Sequence, residues 1–137
     1  MQSCCSSEGI TQATWGGRQH FLRWAAPLWP AYEHAGLAYD TSLSFADKPG
    51  FRAGICCEYP VFDLAEHKAL RLRERPLVAM ETTLLQYLSL DDDAALERLA
   101  ALKETCRRFG GDFTLLWHND HLFWRGGRRV YREALAA

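Results

Sequence analysis

The sequence predicts an α/β fold with a mainly parallel sheet, and three observations lead there. Short apolar runs bounded by turn residues, Leu77-Val78-Ala79-Met80 and Phe113-Thr114-Leu115-Leu116-Trp117, read as buried strands. Between them Ala95, Leu99, Leu102, Cys106 and Phe109 recur at i, i+4, i+7, i+11 and i+14, the stripe of an amphipathic helix. The 137 residues, 48% of them hydrophobic, suffice for one core in one domain but not for two.

The elements follow in order. Residues 1–16 are small, polar and aperiodic, the signature of a disordered or atypical N-terminal tail, so the domain itself is expected to span 17–137. Arg18-Gln19-His20-Phe21-Leu22-Arg23-Trp24 is a strand candidate that ends before Pro27. Leu28, Trp29, Tyr32 and Ala35 recur at helical spacing, and Gly36 stops that helix. Leu37-Ala38-Tyr39 reads as a strand entering the polar turn Asp40-Thr41-Ser42. Phe51 to Cys56 alternates as a strand would, although Gly54 weakens it. Leu70 and Leu72, then Leu77 to Met80, predict two further extended pieces separated by Pro76. A long helix is expected from near Leu90, with Ser89 and Asp92 as a capping box and Asp91-Asp92-Asp93 at the positive end of its dipole. Gly110-Gly111 ends it, the strand Phe113–Trp117 follows, and a terminal helix is predicted over 128–136.

Charge excludes some functions. Sixteen Lys and Arg against seventeen Asp and Glu give a net charge of −1, so no global field favours nucleic acid or an anionic membrane. There is no apolar run long enough to cross a bilayer, and Met1 to Ser7 has no basic-then-apolar pattern of a secretion signal. The five cysteines are then read as reduced thiols of a cytoplasmic protein. Cys56 and Cys57, adjacent on an extended segment, point to opposite faces, which predicts one buried and one partly exposed thiol rather than a chelate or a disulfide.

His118 is the leading chemical residue because it follows directly on the strand Phe113–Trp117. Ligands and catalytic groups of α/β folds gather at strand C-terminal ends, and imidazole serves there as general acid or base. The plainer reading is a histidine that hydrogen-bonds a loop beside Asn119. His118-x-x-His121 is a weak metal pair, since zinc needs three or four ligands and no neighbouring cluster completes the set. Asp91-Asp92-Asp93 belongs to a helix start, and His34 and His67 stand alone. Arg18, Arg23 and Arg52 lie among aromatic residues, where a guanidinium stacks on a ring or orients a carboxylate. No phosphate-binding glycine loop or nucleophile elbow is present.

Several ordered stretches resemble the polysaccharide deacetylase family (the NodB-homology domain, carbohydrate esterase family 4). They are Gly17-Arg18-Gln19-His20-Phe21-Leu22-Arg23-Trp24, Ala35 through Leu43, Phe45-Ala46-Asp47, Pro49-Gly50-Phe51-Arg52-Ala53-Gly54, Pro60-Val61-Phe62-Asp63-Leu64 and Gly110 through Asn119. The resemblance implies a distorted (β/α) barrel of the glycoside hydrolase and deacetylase type. It also implies hydrolysis of an N-acetyl group on a glycan, with a divalent metal such as zinc, an Asp base and a His acid that protonates the leaving amine. Leu116-Trp117-His118 matches the last motif, so His118 resembles that acid. Arg18 falls where the family has the Arg that orients the base, with Gln19-His20 in place of prolines. Asp40 falls near the motif that supports the acid His and the pocket wall. Glu81 stands where a bacterial subgroup often has Asp, and the resemblance gives it no role.

The family's Asp-Asp and His-x-x-x-His motifs lie upstream of the Arg18 region, and the seventeen residues before Arg18 hold no Asp and no His. The expectation is therefore a C-terminal portion, with the first barrel strands, the metal ligands and the base missing, no metal or cofactor of its own, and no activity alone. Expected partners are an N-acetylated glycan and, across unpaired strand edges, a second copy or a complementing N-terminal chain. The competing expectation is a non-catalytic half-barrel module that binds glycan or protein through Trp24, Trp29, Trp117 and Trp124.

Overall fold

The computed structural model describes residues 2–136. Its architecture is mixed α/β, with two small sheets and no closed barrel among the described residues. The first sheet has the order β1-β2-β4-β3, formed by β1 (Gly16–Gly17), β2 (Tyr39–Asp40), β3 (Tyr59–Asp63) and β4 (Lys68–Glu74). The second pairs β5 (Ala79–Met80) with β6 (Leu115–Leu116). β1 with β2, β2 with β4 and β5 with β6 run parallel, and only the β3–β4 hairpin is antiparallel, so the expected parallel character is present.

The hairpin forms because its strands alternate. Leu70, Leu72 and Glu74 of β4 face inward, as do Val61 and Asp63 of β3. Asp63 closes the turn by accepting from the Ala65 and Glu66 amides at 2.9 and 3.2 Å. Helix α2 (Leu28–His34), as the spacing predicts, covers this hairpin with Trp29 and Tyr32. Its Glu33 accepts from the backbone of Leu72 at 2.9 Å.

The main core lies on the second sheet. Helix α3 (Asp92–Arg108) buries Ala95, Leu99, Leu102 and Cys106 against Val78, Ala79 and Leu84. The predicted stripe is thus the buried one, except that Phe109 is exposed. Helix α4 (Arg125–Leu135) adds Val130 and Ala134 to that core, and starts three residues before the expected position. Lys103 of α3 donates to the Ala134 and Ala136 carbonyls at 2.9 and 2.6 Å, placing a cation at the negative end of α4. All five cysteines are free thiols, with Cys56 and Cys106 buried and Cys57 exposed. Burial, reinforced by neighbouring Cys56, pushes the Cys106 thiol up to about 11.

Four expectations need correction. The strand over 18–24 does not form: β1 is confined to Gly16–Gly17, and His20–Leu22 is a 3-10 turn. Phe21 and Leu22 take φ of 58° and 52°, which rotates Leu22 into a small core with Leu77 and Met80. No strand forms over 51–56, where the chain turns at Gly54 with φ of 74°. Residues 2–7, expected to lack regular structure, form the short helix α1 (Gln2–Ser7).

The fourth concerns the start of α3. Thr83–Tyr87 is a π-helical turn, completed by Leu88 N to Thr83 O and Leu90 N to Leu84 O, both 3.0 Å. That turn leaves Ser89 at φ 50° with its hydroxyl on the Gln86 carbonyl. The cap is Asp91, whose Oδ1 accepts from the Ala94 amide at 2.8 Å. Replacing Asp91 by Ala is therefore expected to cost about 1 kcal/mol. Ser89→Ala is expected to change urea-unfolding stability much less, and the reverse order would restore Ser89 as the cap.

Candidate functional site

Each parallel strand hands its chain to a polar residue at its C-terminal end. Arg18 follows β1, Asp40-Thr41-Ser42 completes β2, Glu81-Thr82 follows β5, and Trp117-His118 follows β6. The ends of β1, β5 and β6 border one cleft of about 630 Å³, lined by Arg18, His20, Arg23, Met80, Thr82 and His118 among others. Two of the sequence-predicted residues, Arg18 and His118, thus share a cavity.

His118 is half-exposed and its Nδ1 lies 2.5 Å from Oε1 of Glu81, which is fully buried. The Thr82 hydroxyl donates to the same Oε1 at 2.9 Å. A carboxylate oxygen already accepting from Thr82 calls for a donor at His118, so Nδ1 carries a hydrogen towards Glu81. Nε2 has no protein partner among the described residues and remains available to a ligand. Behind this pair sits His121, 2% exposed, its Nε2 3.9 Å from Glu81 Oε1 and 3.3 Å from Gln86 Nε2. Glu81 Oε2 and His121 Nδ1 are both buried without a partner.

Asp40 does not hold His118. It is fully buried in the other sheet, its Oδ1 accepting from the Ser42 hydroxyl at 2.6 Å and the Ser42 amide at 3.0 Å. Its Oδ2 accepts from Trp29 Nε1 at 3.1 Å. The reason is register: β2 pairs with β1 and β4, whereas β6, which carries His118, pairs with β5 and so meets Glu81. Asp40 instead positions the cleft rim, since Ser42 Oγ receives the Gln19 amide at 2.8 Å. Arg18 donates from Nε to the Thr41 hydroxyl at 2.5 Å. Packing around its guanidinium lowers the Arg18 pKa, opposed by Asp40, Tyr39 and Glu74.

Next to Asp40 lies Glu74, equally buried and also within reach of Trp29 Nε1, at 3.3 Å, and of the Leu43 amide, at 3.2 Å. Burial, reinforced by the Asp40 carboxylate, pushes Glu74 up to about 8. Burial beside the same two carboxylates pushes Tyr59 up to about 12.

The tryptophans do not assemble on the cleft. Trp24 and Trp29 pack together at 4.8 Å, Trp117 lies on Tyr131 at 5.3 Å, and Trp124 lies on His121 at 5.1 Å. None of the four lines the cavity. His118 and His121 turn towards one carboxylate, but among the described residues no three His, Cys, Asp or Glu side chains converge as a metal-ion site. Nor, among these residues, is any helix long and apolar enough to cross a membrane.

Glu81 is the residue to which sequence reasoning gave no role. Its signal was positional, a carboxylate placed directly after the apolar run Leu77 to Met80, as His118 is placed after its own. Comparisons with protein-family models, curated proteins and solved structures find no match for the chain.

Proposed function

We propose that this chain is the C-terminal portion of a polysaccharide deacetylase-like (β/α) barrel, and that it supplies the acid arm of an N-deacetylase site. The observation that carries the reading is the 2.5 Å contact between Glu81 Oε1 and His118 Nδ1 at the edge of the cleft. In this role Glu81 orients the ring through Nδ1, while Nε2–H of the imidazolium delivers a proton to the departing amine. Such delivery matters because an amide nitrogen leaves poorly as an anion.

The cleft residues do not fit the divalent metal that the resemblance implies. Their charged members are Arg18 and Arg23, and no carboxylate is among them. The nucleophilic half of the reaction is therefore assigned to residues outside this chain, contributed by a complementing N-terminal chain. β1 is an edge strand of its sheet and borders the cleft, which makes it the place for such a strand to add.

Titration of the chain with oligomers of N-acetylglucosamine, followed by amine release with divalent metal added, tests the proposal. Binding without turnover is expected. Turnover by this chain alone, abolished by His118→Ala, would show that it carries a complete site. Absence of binding to any N-acetylated glycan would remove the reading.

A further inference from the structure

The charge of the cleft walls goes beyond the reaction type. Arg18, Arg23, His20 and His118 are all on its lining, and no Asp or Glu is. Two carboxylates that back the lining are turned inward: Glu81 is buried against His118, and Asp40 is buried against Ser42 and Trp29. Some arginines elsewhere are paired, Arg73 and Arg75 with Glu58 and Arg129 with Asp93 and Glu133. Arg18 and Arg23 have no ion-pair partner among the described residues. Arg18 is held only by Thr41, and Arg23 only by the Phe21 ring, 5.5 Å away. Two guanidinium groups on one cavity of this size, Arg18 offset only in part by the buried Asp40 behind it, create a positive field that a ligand of opposite charge relieves.

The rest of the lining adds shape. Tyr87 reaches the same cavity with 61% of its surface exposed, offering a ring face to a flat apolar surface such as the C–H face of a sugar, and Phe21 adds an exposed ring that Arg23 and His20 pack on. The cavity volume of about 630 Å³ is that of a small-ligand site.

We infer that the ligand of this cleft is an acidic glycan, an N-acetylated chain bearing a uronate whose carboxylate is held by Arg18 and Arg23. This rests on the glycan reading above and adds the charge to it. Arginine suits the task because its planar fork matches a carboxylate in two parallel hydrogen bonds.

Calorimetric titration of the full chain with three probes separates the parts of the inference. The probes are an alternating tetrasaccharide of N-acetylglucosamine and glucuronate, the neutral N-acetylglucosamine tetramer, and citrate. The acidic tetrasaccharide is expected to bind about tenfold or more tightly than the neutral one, with the preference shrinking as salt rises. Arg23→Glu, at an exposed position, is expected to abolish the preference, and Arg23→Gln to reduce it. Equal affinity for the two tetrasaccharides, or a preference unchanged in Arg23→Glu, would overturn the inference while leaving the deacetylase reading in place. Citrate binding as tightly as the acidic tetrasaccharide, and through Arg23, would keep the anion and overturn the glycan.

Discussion

Raising the pH from about 5 to about 8 is expected to destabilise the protein, and Glu74→Gln is expected to abolish most of that loss. Glu74 and Asp40 are both fully buried around the single indole N–H of Trp29. Desolvation and the adjacent Asp40 carboxylate lift Glu74 from the ordinary 4.5 to about 8. A folded-state pKa above the unfolded value means that the folded protein holds a proton the unfolded chain has released. The associated stability is complete below the ordinary carboxylate range and declines as pH rises through the folded value, by up to about 1.4 kcal/mol per pH unit. Across the window this amounts to a few kcal/mol, a large share of the stability of a domain this size. Glutamine reproduces the protonated form, with an oxygen to accept and an N–H to offer Asp40. The variant should match the parent at pH 5 and exceed it at pH 8 in urea unfolding. Parallel profiles for parent and variant would show that Glu74 titrates normally.

The second large effect is expected at Gly127. A Cβ built there falls inside the van der Waals radius of the His121 carbonyl oxygen, and that oxygen belongs to backbone that cannot swing aside. Gly127→Ala is therefore expected to cost about 2–3 kcal/mol, near the upper end for overpacked sites. The displaced turn carries His121, which lies behind the Glu81–His118 pair, so the damage reaches the cleft. Gly126→Ala is the matched control. Its Cβ would meet only the Asp92 carboxylate, at 2.7 Å, and that side chain can rotate away. The gain in helix propensity, about 1 kcal/mol, then makes Gly126→Ala neutral or stabilising. Equal thermal shifts in the two variants would contradict the close approach at Gly127.

Much of the scaffold was legible because period decides burial. The Ala95–Cys106 stripe, the inward Leu70 and Leu72, and the apolar runs of β5 and β6 all occupy core positions. The same alternation carries Glu74 inside, so a buried carboxylate was readable there from spacing alone. The failures are local contests that propensity does not resolve. Ser89 and Asp91 both offer a capping oxygen, and the π-helical turn before them gave the role to Asp91. Phe51–Cys56 alternates properly, yet it finds no strand partner among the described residues. At the site, His118 was found from a strand end and Arg18 from the family resemblance, whereas the partner of His118 depended on strand pairing. Asp40 and Glu81 stand at equivalent strand ends in the sequence, and only the pairing of β5 with β6 selects Glu81.

The brevity of the strands beside the cleft has a consequence for how the molecule breathes. β1 and β2 pair over two residues each, whereas the β3–β4 hairpin and α3 extend much further. Amide protons of the hairpin and of α3 should exchange with deuterium late, near the rate set by global opening, while those from Gly17 to Arg23 exchange early through local fraying. A ligand seated in the cleft would slow exchange first in that early-exchanging segment, so isotope uptake over 17–23 gives a footprint of occupancy that needs no turnover.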